Sequence, residues 1–578
     1  EVDQDWTTHA EREGYRSTPS YDETLGYLRR LADASPALEL QTFGRTGLGR
    51  EMVVAVVSSD GAFDPARARA TGKPIVLVQN GIHPGEIAGK DASLMLLRDL
   101  LVHGKRAEVY ENTVLLVVPV YNIDGHEKLG QSRINQDGPA EGMGFRTNAA
   151  GLDLNRDYMK LDAPESRAMV GELIAGWDPH LFVDLHTTDG IDHRYHVAYG
   201  VDLGPRAAPS VRDWTASLLE GVSARMEDAG RPTAPYIFPK DWPDPSNGFV
   251  GGWTNPRFST SYVTLRGRSA LLLEAHALKP YETRVKALYD HLGFILDAVA
   301  ADPEALVSAV READERARVA ARRRGPEDRV VVQVERSEES RPFSLRTYES
   351  EVVPGTVGGR PYVIWTDEPL DVEVTLFDDM QLLQDLPHPA GYLVPPQYPL
   401  LVERLQAHGL KLVALPAEVS VQVEMLRMTD VAFEGEPYQG RQQVTVKQWD
   451  VERGERTFPA GSWWLSLDQP AALVAVQLLE PTAPDSFLAW GFLSRVLERK
   501  EYFEVYAMEP LGERMLAEDP VLRKAFEEAV RTDPELAGDA RSRLEFVYRH
   551  SPHADPDYRL YPIARVPSDA PLAPLQPK

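Results

Sequence analysis

Pro74-Ile75-Val76-Leu77-Val78-Gln79 runs straight into Asn80-Gly81-Ile82-His83-Pro84-Gly85-Glu86, and from Ile87 to Leu101 the pattern is helical. A continuous apolar, β-branched run closed by a Gly/Pro turn reads as a strand buried on both faces. A strand that passes into a helix through such a turn belongs to a sheet with helices packed on it. Open α/β sheets bind ligands at the carboxyl ends of their strands. His83 and Glu86 therefore stand where a site is expected, and imidazole plus carboxylate across a glycine-containing turn suits zinc. The same spacing also fits a surface turn whose acid caps the next helix.

Similar runs lie on both sides. Thr113 to Val120, Leu181 to Leu185 and Ala270 to Leu273 alternate with helical stretches at Glu165 to Ala175 and Val211 to Glu227. A helix at Tyr21 to Ala34 and a hairpin made by Leu38 to Thr42 and Glu51 to Val57 precede them. The fold class is α/β, a mixed sheet flanked by helices. The Leu181 strand delivers His186 just where apolar residues give way to the polar turn Thr187-Thr188-Asp189-Gly190. That position suits a third metal ligand, and it also suits a core histidine satisfied by a backbone carbonyl.

A charged helix from Pro303 to Arg324 and the linker Gly325-Pro326-Glu327-Asp328 end this region, giving a first domain over 1–325. Runs at Arg329 to Val334, Pro361 to Trp365, Asp371 to Leu376, Val419 to Met428 and Gln442 to Gln448 predict a mostly β accessory domain over 329–450. A mixed, partly helical segment over 451–578 follows.

The 578 residues carry 62 Lys and Arg against 88 Asp and Glu, a net charge of −26. The acids are spread along the chain, so a nucleic-acid partner would be repelled almost everywhere. No apolar run is long enough for a membrane span, and the polar start at Glu1 to Arg12 has no basic or apolar signal-peptide region; a start left by a removed signal peptide would look the same. With no cysteine, disulfides and thiolate metal sites are excluded, and any metal must be held by His, Asp or Glu.

Taken together, these motifs resemble the zinc metallocarboxypeptidases of the carboxypeptidase A type. The family's His-x-x-Glu is similar to His83 to Glu86, its Asp-x-Asn-Arg to Asp153-Leu154-Asn155-Arg156, its strand-end histidine to His186, and its later strand-end base to Glu274. The likeness covers roughly residues 20 to 300. It implies one zinc ion on His83, Glu86 and His186, with Glu274 as general base. Asn155 and Arg156 would grip a terminal carboxylate, since a guanidinium fork matches two carboxylate oxygens. Arg146 would polarise the scissile carbonyl, with Arg133 as a competitor for that role. Asp153 would bond the second nitrogen of His83. The family's mobile-loop tyrosine has no clear counterpart, and Tyr262 is the nearest candidate. The segment Trp253 to Arg268 would set side-chain preference, and an arginine there in the pocket (Arg257, Arg266 or Arg268) would favour acidic C-terminal residues.

The implied activity is hydrolysis of a C-terminal peptide bond in a substrate with a free carboxylate. The rivals are an N-acyl amino acid deacylase of the aspartoacylase or desuccinylase type, a cell-wall peptide amidase, and a non-catalytic binding protein that keeps the fold. Relatives of similar architecture imply a periplasmic or secreted location.

Overall fold

A computed structural model describes residues 5–241, 247–252 and 255–575. Residues 1–4 of the polar start and Trp253 and Thr254 of the specificity segment lie outside them. The apolar runs assemble into an eight-stranded mixed sheet in the spatial order Leu38–Arg45, Glu51–Val57, Val114–Val118, Ile75–Asn80, Leu181–Thr187, Ser269–Ala275, Val197–Gly200 and Thr233–Pro235. The central strands from Val114–Val118 to Ser269–Ala275 are parallel. Antiparallel neighbours flank them on both sides. Ile75–Asn80 and Leu181–Thr187 are buried along their whole length, which is why they read as unbroken apolar runs rather than as an alternation.

Helices cover the sheet. Ala88–Leu101 packs on Tyr281–Ala301, which in turn packs on Pro209–Asp228, while Ser259–Leu265 lies against the Leu181–Thr187 and Ser269–Ala275 strands. Tyr21–Ala34 starts where expected because Ser20 and Glu23 cap its first turn reciprocally. The stretch expected to be helical over Glu165 to Ala175 is a short α-helix, Pro164–Ala168, continuing as a π-helix over Met169–Trp177.

Beyond residue 329 the chain is largely β. The runs Pro361 to Trp365 and Asp371 to Leu376 form one strand, Tyr362–Phe377. Pro369 is tolerated inside it because it lies beside a register shift at Tyr348/Ser350 of its partner, Arg341–Val353. A six-stranded sheet holds Val413–Ala414, Trp463–Ser466, Gly391–Val394, Ala564–Val566, Val419–Phe433 and Val444–Phe458 in that order. The division after residue 450 falls inside the last of these strands, so one sheet spans it. The helices from Val505–Glu518 to Ala540–Arg549 enclose a small cluster of Phe503, Met508, Leu544, Val547 and Tyr548.

The second half is joined to the first by backbone pairing. Leu376 and Phe377 pair in parallel with Phe249 and Val250, and Arg194 N donates to Arg346 O. Val330, Leu386, Tyr392 and Leu479 belong to the same apolar cluster as the eight-stranded sheet. Among the described residues no helix is long and apolar enough to cross a membrane.

Candidate active site

Parallel registration decides the geometry. Glu274 lies directly opposite His186 on the adjacent strand, and Asn80 lies opposite Leu185 on the other side. Three strand ends therefore deliver His83 with Glu86, His186, and Glu274 to one edge of the sheet. A ligand atom from each of His83, Glu86 and His186 can be chosen so that all lie within 4.8 Å of one another, and all three residues are buried. Among the described residues this is the one His/Asp/Glu group of that compactness.

The two imidazoles meet edge to face, with ring centroids 4.9 Å apart, and each has a carboxylate behind it. His83 Nε2 is 3.0 Å from Asp153 Oδ1, and His186 Nε2 is 3.0 Å from Asp184 Oδ2. Only the His83–Asp153 contact has hydrogen-bond geometry, His186 Nε2 being without a hydrogen-bond partner; on the other side His83 Nδ1 lies 3.3 Å from Glu86 Oε1 and His186 Nδ1 is bonded to Oε2 at 2.9 Å. His83 Nδ1, buried and without a hydrogen-bond partner, and His186 Nδ1 converge on an acceptor-only carboxylate, and a cation among the three would satisfy all of them. The donor set of two neutral nitrogens and one carboxylate, with no thiolate, is one that zinc takes.

Charge settles the ionisation of these groups. Burial alone would raise the pKa of Glu86, but His83, Arg133 and His186 outweigh it and hold the carboxyl well below its ordinary range. Burial works against the charged form of His186, yet Asp184 and Glu86 together carry its pKa well above the usual value. Asp153 stays ionised because His83, Arg146 and Arg156 outweigh its burial. For Glu274 burial prevails. It raises the pKa to about 8, helped by Glu86 and Asp189 and opposed by His186 and Arg133. Its buried Oε2 has no hydrogen-bond partner.

A cleft of about 360 Å³ opens over this group. Arg133, Arg146, Asn155 and Arg156 line it together with His83, Glu86, His186 and Glu274. Asn155 Oδ1 accepts the Ser259 N–H at 2.9 Å, so its NH2 group is what remains to donate to a ligand. Arg156 lies over the Phe258 ring at 4.4 Å and donates from Nη1 to Asn155 O at 2.8 Å. Arg146 rests on Asp153 (Nε to Oδ2 3.0 Å) and its side chain is 45 % exposed. Arg133 is 16 % exposed, spends its guanidinium on Glu86, and donates to Thr188 O at 2.9 Å.

Tyr262 is not in this cleft. Every residue of its helix, Ser259–Leu265, is buried, and the phenol instead meets His408 Nδ1 at 2.8 Å, a partner a buried hydroxyl requires. The cleft's tyrosine is Tyr236, with Phe238, Phe258 and Leu272 beside it. Tyr236 donates to Asp189 Oδ1 at 2.7 Å. The arginines of the specificity segment are also elsewhere. Arg257 pairs with Asp485, Arg266 donates to His408 O, and Arg268 bridges Asp178 and Asp314. None of the three lines the cleft. Asp184 was legible but not singled out. It lies two residues before His186 on one strand, and a period of two puts both on the same face.

Residues 24–196 match the family model described as zinc carboxypeptidase. That stretch, about three tenths of the chain, is similar to zinc carboxypeptidases. Carboxypeptidase 2 of Trichophyton rubrum is 28% identical to it over 502 residues, covering 82% of this chain and 85% of that one. Carboxypeptidase 2 of Trichophyton equinum gives the same figures. Among solved structures, carboxypeptidase A from Helicoverpa armigera covers 51% of this chain and 75% of its own at 16% identity, with a TM-score of 0.38. The metallo-carboxypeptidase of Burkholderia cenocepacia covers 49% and 69% at 20% identity, with a TM-score of 0.35. The family match and the curated relatives support a metallocarboxypeptidase enzyme, and the first half of the chain is an α/β domain with a mixed sheet.

Proposed function

We propose that this carboxypeptidase domain removes the C-terminal residue of a peptide, with His83, Glu86 and His186 holding zinc and Glu274 acting as general base. The observation that carries the reading is one cleft lined at once by the ligand set, by Glu274, and by the Asn155–Arg156 pair. Zinc held there supplies Lewis acidity, which makes water nucleophilic near neutral pH. The rest is the work of the chain's own groups. Glu274 Oε2 takes the proton of the attacking water and passes it to the leaving nitrogen. Arg156 and the NH2 of Asn155 fix the substrate's carboxylate and so place the scissile bond near Glu274. Arg146, more exposed than Arg133 and not tied to backbone carbonyls, offers the carbonyl oxygen the N–H groups it does not spend on Asp153 and, at 3.4 Å, on Glu86.

Tyr236, Phe238, Phe258 and Leu272 give the cleft an apolar wall, which favours an aromatic or aliphatic C-terminal side chain over a charged one. The deciding experiment compares a blocked dipeptide ending in phenylalanine with its C-terminal amide and with N-acetylphenylalanine. Release of phenylalanine from the acid alone is the expected result. Equal turnover of the amide removes the carboxylate grip from the reading, and preferential turnover of the N-acyl amino acid replaces it with deacylation.

Asp184→Asn tests the orientation of the third ligand. Zinc affinity, read by competition with a chelator, is expected to fall by about 10- to 100-fold, the usual effect of losing such a carboxylate. An unchanged affinity would show that Asp184 does not govern the His186 ring.

A further inference from the structure

The long antiparallel hairpin of Val419–Phe433 and Val444–Phe458 belongs to the second half, yet its tip lies against the carboxypeptidase site. The tip is a tight turn. Tyr438 and Arg441 exchange backbone hydrogen bonds of 2.8 and 3.0 Å, and the two residues between them, Gln439 (φ +50) and Gly440 (φ +78), are both left-handed. Glycine takes such a conformation at no steric cost; a glutamine there costs of order 1 kcal/mol or more and persists when its surroundings over-determine it.

Three of the four tip residues touch the 153–162 segment. The Tyr438 hydroxyl accepts from Arg156 Nε at 3.1 Å. Gln439 Oε1 accepts the backbone N–H of Asp153 at 2.9 Å. Arg441 grips Asp162 with two bonds of 2.6 and 2.7 Å. Lys160, fully buried, ties Asp162 to Asp157.

The tip is itself braced from further along the chain. Tyr438 stacks on Trp490 with ring centroids 6.0 Å apart and planes at 14°. Trp490 Nε1 donates to Asp485 Oδ1 at 3.1 Å. Arg257 pairs with Asp485 at 2.7 Å and lies 4.8 Å over the Trp490 ring.

We propose that this hairpin tip completes the substrate-carboxylate site, with Tyr438 a positioning residue that holds the Arg156 guanidinium in the orientation a terminal carboxylate requires. With Nε bound by Tyr438 and Nη1 by Asn155 O, the guanidinium loses its freedom to turn about the side-chain axis. Its partial exposure of 22 % is left on the cleft side. Holding a guanidinium before the ligand arrives lowers the ordering cost of binding. The proposal rests on the reading of Arg156 as the carboxylate grip, and the test separates the two.

The full-length zinc-loaded protein is assayed on hippuryl-phenylalanine as wild type, Tyr438→Phe, Arg156→Ala and the double variant. Phenylalanine keeps the stack on Trp490 and removes only the hydroxyl. The expected result is that Tyr438→Phe raises KM about tenfold, the scale of one hydrogen bond to a charged group, with kcat within about twofold and the melting temperature retained. In the Arg156→Ala background the same change is expected to add nothing.

A KM unmoved by Tyr438→Phe while Arg156→Ala raises it overturns the proposal and spares the reading of Arg156. A KM unmoved by either overturns both. An equal effect of Tyr438→Phe in both backgrounds shows that the phenol does not act through Arg156 and overturns the proposal. Should Tyr438→Phe fail to fold, Gln439→Gly decides. Its backbone suits the turn and only the bond to Asp153 is lost, so KM must rise with the melting temperature unchanged or higher, and an unmoved KM overturns the proposal.

Discussion

Glu274→Gln is expected to lower kcat on a free-acid peptide by about 10²- to 10⁴-fold, the range carried by a positioned general base, with one equivalent of zinc still bound. Glutamine keeps the shape of the strand-end side chain and removes the atom that receives the proton. The ligand set lies on other residues, so metal content separates this loss from a collapse of the site. Burial raises the Glu274 pKa to about 8, and a divalent cation beside it would pull that value down by favouring the carboxylate. Because the base works ionised, activity must fall as pH drops through its pKa. The acid limb of kcat/KM is therefore expected below pH 8. A limb above 8 would mean that no cation lies next to Glu274, and wild-type kcat in Glu274→Gln would remove it from proton transfer.

Stripping the metal has the other large effect. Dialysis against 1,10-phenanthroline is expected to abolish turnover and to lower the melting temperature, with both restored by stoichiometric zinc. A ligand bound only by the folded chain stabilises it by mass action. A cation held here would also neutralise the buried Glu86 carboxylate, which has two imidazole nitrogens 2.9 and 3.3 Å away. His186→Ala should match the stripped enzyme in activity and fail to regain it at zinc concentrations that rescue the wild type, because two remaining ligands hold zinc poorly. Full activity after verified metal removal would end the metallopeptidase mechanism for this chain.

What could be read from the chain beforehand follows from how local the information is. His83, Glu86, His186 and Glu274 each close an apolar run at a strand end, and parallel pairing brings such ends together without any knowledge of side-chain packing. Tyr262 was placed by its distance in sequence from Glu274, and that counting fails because the intervening helix is buried on all sides. Tyr236 reaches the cleft from near the far edge of the sheet, next to the Thr233–Pro235 strand, where no run or motif announces it. The Arg341–Val353 strand was missed because most of its residues are partly or fully exposed and its apolar positions are few. Tyr438 is a matter of range, since no local pattern links residues 282 positions apart.

That distance has a consequence in time. A ribosome adds about 5 to 20 residues per second, so roughly 15 to 60 seconds separate the emergence of Arg156 from that of Tyr438. All four residues proposed for the metal and the base have left the exit tunnel well before the hairpin exists. From the emergence of Glu274, 164 residues before Tyr438, about 8 to 33 seconds remain in which a newborn chain has the residues of this centre while the arginine beside it lacks its Tyr438 bond.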